Sequence, residues 1–282
     1  MSALPAPVAG ALEHPSGGRR STTIAAGIPY SAIEWGDPGA RPLVLIHGVT
    51  ASARIWWRVG PALATGGRRV IAVDQPGHGL TGNWRGHYRF RDNAADLAAW
   101  IREVGQTRAD LQIVGHSWGA MTAAALPRAG IRPATLVLLD PPALPYERIA
   151  ALATDPSEKP YEDMDEAIAS LTSANPTWSR GDVEAKAEAL IQVDAEAARE
   201  ILLENHDWDG GLGDLVEAVA AGVPTWLIRA DPATGGHLPD ERLPAFEALL
   251  GADRVITLPG TPHAPQRTHP TETTRALLDA LG

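Results

Sequence analysis

The chain has 282 residues, with 34 Asp and Glu against 24 Lys and Arg, for a formal net charge of -10. That balance, without a basic stripe, argues against nucleic acid as a partner. The lack of any cysteine excludes a disulfide framework, a thiolate nucleophile and a cysteine-ligated metal.

Residues 1–20 mix Ala, Pro and Gly, with no basic start and no sustained apolar core. They are expected to form a flexible leader, not a secretory signal. No stretch reaches the roughly 18 apolar residues that span a bilayer, so no membrane span and a cytoplasmic location are expected. Strands are predicted at 22–25 and 30–35, joined by the tight Ala26-Gly27-Ile28-Pro29 turn as an antiparallel edge. Six more follow at 43–46, 70–73, 111–114, 135–139, 225–228 and 254–258. These are near-continuous apolar runs, as parallel strands covered on both faces require.

Helical spacing links Ala94, Leu97, Ala98, Ile101 and Val104, and again Thr274, Leu277, Leu278 and Leu281. Strands alternating with helices give an α/β fold: an eight-stranded, mostly parallel sheet with helices on both faces. The alternation breaks once. Residues 141–215 hold no convincing strand but three amphipathic stretches, 163–171, 182–191 and 195–204, several preceded by Asp or Ser caps. They are expected to form a helical lid inserted after the sixth strand, between core segments 21–140 and 216–282.

The fifth strand runs directly into Gly115-His116-Ser117-Trp118-Gly119, and a helix-like run follows at once. Gly-x-Ser-x-Gly between strand and helix is a nucleophile elbow, whose sharp turn projects the serine hydroxyl above the sheet. Such a hydroxyl attacks only where a base takes its proton.

Three further motifs stand in family order around it: His47-Gly48-Val49 after a strand, Asp74-Gln75-Pro76-Gly77-His78-Gly79, and Leu258-Pro259-Gly260-Thr261-Pro262-His263. With the elbow, they make the chain resemble the α/β-hydrolases from about Thr22 to its C-terminus. The resemblance implies Ser117 as nucleophile, His263 as base, and the amides of Val49 and Trp118 as the oxyanion hole. The triad acid stays open. The usual position in Arg229-Ala230-Asp231-Pro232-Ala233 holds alanine, so Asp231 is placed first and Asp140, after the preceding strand, second. Asp240 and Glu241 are remote alternatives.

Other candidates receive quieter roles. His269 suits the start of the last helix better than the base. His116 is expected to pack under the elbow, His47 to shape the oxyanion loop, and Asp74 to hold a turn. A metal site of His47, His78 and His116 lacks the zinc-type spacing, so no metal is expected.

The elbow residue separates reaction classes. Dehalogenases and epoxide hydrolases of this fold use a carboxylate there, because water can open the resulting ester. Serine would form an unreactive ether, so Ser117 implies acyl transfer. Nine tryptophans stand against two phenylalanines. Trp56, Trp57, Trp84, Trp118, Trp178 and Trp208 fall in loops or the lid, and Trp118 flanks the nucleophile. Trp118, Val49 and His47 are therefore expected to bind substrate in an apolar pocket.

The expectation is a cofactor-free serine esterase or lactonase, monomeric or homodimeric, acting on a small hydrophobic carboxylic ester or lactone. One alternative is a carbon–carbon bond hydrolase of a diketone, with Arg54 or Trp118 near the second carbonyl. Another is a non-catalytic ligand-binding homologue.

Overall fold

Alternate residues of one strand, β3 (Arg41–Ile46), feed two different cores. Leu43 and Leu45 face one layer and Val44 and Ile46 the other, all without solvent exposure. That is the two-residue period of an extended chain inside a doubly covered sheet. Burying each such side chain stabilises by about 1.5–3 kcal/mol, so the strand has no solvent-tolerant face. The computed structural model describes residues 3–81, 88–155, 158–205 and 208–282; Trp84, one of the expected loop tryptophans, lies outside them.

The other strands are β1 (Arg19–Ala25), β2 (Ile28–Trp35), β4 (Arg68–Val73), β5 (Gln112–His116), β6 (Thr135–Leu139), β7 (Thr225–Ala230) and β8 (Val255–Leu258). They form one eight-stranded sheet in the order β1-β2-β4-β3-β5-β6-β7-β8. β1 and β2 pair antiparallel across Ala26-Gly27, both at positive φ. β2 meets β4 antiparallel, and every later neighbour is parallel. The expected edge hairpin and parallel body are both present.

One face is covered by α3 (Phe90–Glu103), α4 (Trp118–Ala125), α9 (Leu212–Ala220) and α10 (Leu243–Leu250), and the other by α2 (Val59–Ala64) and α12 (Pro270–Leu281). α3 buries Ala94, Leu97, Ala98 and Ile101, and α12 buries Thr274, Leu277 and Leu281, as their spacing predicts.

Between β6 and β7 the chain forms α5 (Tyr146–Leu152), α6 (Met164–Ala174), α7 (Arg180–Gln192) and α8 (Ala195–Glu204) before reaching α9. Asp163, Ser179 and Asp194 each cap the first turn of the helix that follows. The insertion has its own small core of Tyr161, Ala167, Leu171, Val183, Ala187 and Leu190. α9 crosses the expected boundary at residue 215. It belongs to the sheet's covering layer, since Leu215 and Ala218 join the main core and Asp214 pairs with Arg91 of α3 at 3.1 Å.

The leader is a correction. α1 (Ala6–Glu13) is a helix, not a flexible tail, with Val8 and Leu12 buried against Ala62 and Leu278. The two apolar residues stand four apart, so they share one helical face and find a hydrophobic seat. Among the described residues no helix is long and apolar enough to cross a membrane.

Candidate active site

Sheet register puts the key loops at one edge. Ile46 pairs with Gly115, His116 with Leu139, Leu139 with Ile228, and Ala230 with Leu258. The residues after β3, β5, β6, β7 and β8 therefore leave the sheet side by side at its carboxyl edge, where ligands bind in open α/β sheets.

Ser117 turns between β5 and α4 at φ +57° and ψ −127°, and its N–H donates to the Leu139 carbonyl at 3.0 Å. Close packing allows that bend. A Cβ on Gly115 would stand 2.2 Å from the Gly119 carbonyl oxygen, and one on Gly119 would stand 2.3 Å from that of His47. Neither distance is compatible with any side chain, which is why the motif needs both glycines.

The serine hydroxyl meets its expected base. Ser117 Oγ lies 2.8 Å from His263 Nε2, and His263 Nδ1 lies 2.7 Å from Asp140 Oδ2. Asp140 is buried at φ +44° and also accepts the N–H groups of Ala230 at 3.0 Å and His237 at 2.9 Å. Burial raises the pKa of its carboxyl, and the two amide donors oppose that shift. Burial also lowers the pKa of His263, helped by the positive charges of Arg267 and Lys186. A neutral imidazole with Nδ1–H on Asp140 leaves Nε2 free to accept the serine proton.

Asp231, placed first by sequence, does not meet His263. Its carboxylate accepts the N–H of Ala233 at 2.9 Å and of Gly260 at 2.8 Å, and those bonds lower its pKa. It caps a short 3-10 turn beginning at Pro232. Asp240 pairs with Arg229 at 2.6 Å, Glu241 is exposed, and neither approaches the imidazole.

Val49 follows the turn where a Cβ on Gly48 would press to 2.8 Å from Ser117 Cβ. Trp118 opens α4, so its N–H has no partner inside the helix. Among the described residues neither amide is taken by another acceptor.

His47 is fully buried: Nδ1–H donates to the Gly48 carbonyl at 2.8 Å and Nε2 accepts from Gln75 N–H at 3.0 Å. These bonds brace the loop that leads to Val49, but its side chain does not reach the cavity as a substrate contact. The Trp118 side chain is a second correction. Its ring packs 5.7 Å from His78 in the main core and does not line the cavity, because a helix's first residue can turn its side chain away from the elbow. Asp74 holds its turn by accepting Ala53 N–H at 2.7 Å and Leu80 N–H at 3.2 Å. His269 caps α12, with Nδ1 2.9 Å from Thr268 Oγ1. His116 donates Nε2–H to the His263 carbonyl at 2.8 Å, holding the loop that carries His263. Arg54 pairs with Glu188 at 3.1 Å and does not line the cavity.

A cavity of about 400 Å³ opens over Ser117. Ile149 and Leu152 of α5, Leu171 of α6, Lys186 of α7 and Leu202 of α8 line it, so the insertion forms its roof. Two indoles border it, those of Trp178 and Trp208. Sequence reasoning missed His237, Lys186 and Arg267. No motif marks them, and only the folded chain brings them beside the base.

A sequence model described as "Alpha/beta hydrolase family" matches residues 43–276. The lipase LipV of Mycobacterium tuberculosis is 28% identical over 277 residues, covering 88% of this chain and 96% of its own. Epoxide hydrolase A of the same organism is 36% identical over 128 residues, but that match spans only 44% of this chain and 38% of the enzyme. The crystal structure of E-2-(acetamidomethylene)succinate hydrolase superposes with a TM-score of 0.75 at 22% identity, covering 94% of this chain and 99% of the other, a likeness of fold. The chain belongs to the alpha/beta hydrolase family.

Proposed function

We propose that this hydrolase cleaves carboxylic esters or lactones through an acyl-enzyme on Ser117. The connected path from Ser117 Oγ through His263 to Asp140, with contacts of 2.8 and 2.7 Å under a roofed cavity, carries the reading. As Oγ attacks the carbonyl carbon, His263 Nε2 takes the hydroxyl proton and the carbonyl electron pair moves onto oxygen. The amides of Val49 and Trp118 hold that oxyanion, and Asp140 stabilises the imidazolium. Collapse expels the alcohol, which takes the proton from Nε2. Water then repeats the sequence on the acyl-enzyme and frees the acid. No cofactor enters this chemistry, and helices α5 to α8 act as the lid that keeps bulk water off the intermediate.

The nature of the elbow residue weighs against epoxide opening, which part of one relative's sequence would suggest. A serine ether has no carbonyl for water to attack. Arg54, held by Glu188, offers a diketone nothing, and the connected triad favours turnover over mere ligand binding.

The test is hydrolysis of p-nitrophenyl acetate and hexanoate, with Ser117→Ala alongside. Turnover should vanish in the variant, and a fluorophosphonate should label the Ser117 peptide by mass spectrometry. Hydrolysis that survives the substitution removes Ser117 as the nucleophile.

A further inference from the structure

The cavity over Ser117 carries two cationic side chains as well as the carboxylates of Asp155 and Glu158, in a chain whose net charge is -10. The cations are Lys186 of α7 and Arg267 of α11 (Pro265–Thr268), and they differ in one respect. Lys186 is satisfied: its Nζ donates to the Thr50 carbonyl at 3.1 Å and Thr50 Oγ1 at 3.0 Å, and it pairs with Glu158. Arg267 is not. Among the described residues no carboxylate forms an ion pair with it. The two carboxylates whose charge acts on it are taken: Glu158 by Lys186 and Thr50, and Asp182 by Arg58 and Trp57.

The Arg267 guanidinium sits 4.3 Å from the ring centroid of Trp178, which also lines the cavity. The indole covers one flat face, so the outward edge of the fork, with its N–H donors, remains for a ligand. A half-buried guanidinium has given up part of its hydration without gaining an anion, and a planar two-oxygen anion restores that loss best. His263 stands four residues before Arg267 and lines the same cavity.

We infer that Arg267 is a carboxylate-binding subsite of this cavity, and that the preferred substrate is a short ester bearing a free carboxylate. The inference rests on the ester-hydrolase reading for turnover but not for binding. The carboxylate binds edge-on to the guanidinium, and the rest of the molecule extends over Ser117 beneath the apolar roof.

The experiment pairs each acid with its neutral counterpart. Methyl hydrogen glutarate is compared with dimethyl glutarate, and acetoxyacetate with its methyl ester, on the full-length protein and on Arg267→Met and Arg267→Lys. A ratio of kcat/KM within each pair cancels any effect of the lost charge on His263. The expected result is a preference for the acid in at least one pair, reduced about 50-fold by Arg267→Met, the scale of losing charge-assisted hydrogen bonds. Arg267→Lys, which keeps the charge and loses the fork, should fall between.

Glutarate titrated calorimetrically into Ser117→Ala protein provides a readout without turnover. It should bind saturably and weaken by a similar factor when Arg267→Met is added. If no ester is hydrolysed yet glutarate binding depends on Arg267, the turnover reading fails and the subsite stands. If neither ester pair is discriminated, or glutarate binding is absent or ignores Arg267 in folded variants of normal melting temperature, the subsite is overturned.

Discussion

The imidazoles of His237 and His263 stack face to face, with centroids 3.4 Å apart and planes inclined by 18°. The His237 backbone N–H also donates to Asp140 Oδ2, the oxygen that takes His263 Nδ1–H. One residue thus supports His263 from two sides, its ring by stacking and its Asp140 partner by a hydrogen bond. His237→Ala keeps the backbone donor but removes the ring, so kcat should fall about tenfold, the upper range for a lost aromatic pair. His237→Phe, which restores a flat ring, should recover most of the loss. Equal damage from both would mean that the imidazole itself takes part in the chemistry.

The acid assignment gives the sharpest contrast. Asp140→Asn should lower kcat by about 10⁴, because the amide favours the wrong imidazole tautomer. Asp231→Asn removes only the acceptor for two loop amides, Ala233 and Gly260, and kcat should change less than about threefold. Initial rates on one ester with the three proteins decide it. A large loss with Asp231→Asn would place the active geometry elsewhere.

These two aspartates also mark where sequence reading ran out. Both follow a strand, and register brings both strand ends to the carboxyl edge, so either was compatible with the motif order. The difference lies in whole-chain geometry: Asp140 turns inward at φ +44° beneath the His237 loop, while Asp231 is occupied with a local turn. An Asp-Pro pair at a helix start is a capping signal, and in retrospect it was legible. That Ser117 and His263 would come together was legible because each sits in a local motif, a strand–turn–helix elbow and the loop after the last strand. The six later strands could be read because unbroken apolar runs have few other uses, and the first two because a tight turn joins them. Trp118 misled because adjacency in sequence says nothing about which side of a helix a ring takes, and α1 was missed because Ala and Pro hid the spacing of Val8 and Leu12.

The pH dependence of activity follows from the charges around the base. The proposed mechanism requires neutral His263, and burial with Arg267 and Lys186 lowers its pKa, so activity should persist below the ordinary imidazole range near pH 6.5. Arg267→Met removes one of those charges, so the pKa rises and the acid limb of kcat/KM should move to higher pH. A limb that stays in place would mean the guanidinium is too well solvated to act on the imidazole.

Stability should fall on the acid side for a related reason. Burial holds His47 at about 4 and both His78 and His116 at about 3. In the unfolded chain each takes a proton near pH 6.5, so as pH drops the unfolded state binds protons that the folded state refuses. The stability present above pH 6.5 is therefore lost between that value and the folded pKa, at up to about 1.4 kcal/mol per pH unit for each histidine. Urea unfolding at pH 7.5, 6.0 and 5.0 checks this above the range where most carboxylates titrate. A midpoint that does not move would show these rings are protonated in the native protein.

Lys186 ties the insertion to the loop that carries Val49 and Thr50. From α7 it reaches the carbonyl and hydroxyl of Thr50, which sits at φ +54° directly after Val49. Lys186→Met leaves that carbonyl without its side-chain donor and the Glu158 carboxylate without its countercharge, held only by the Thr50 hydroxyl. Breaking a fully buried pair costs roughly 3–5 kcal/mol. Glu158 keeps 32% of its side-chain exposure, so water compensates in part and about 2 kcal/mol is expected. Loosening Thr50 also lets the Val49 amide drift. The fall in kcat should be about tenfold, short of the roughly 10²–10³ that follows outright removal of an oxyanion donor. Adding Glu158→Gln removes the stranded charge, so the melting temperature should recover in part. The rate should not recover, because the contact to Thr50 is still missing. A double variant that regains both would mean that Lys186 serves only to neutralise Glu158 and that the oxyanion loop holds itself.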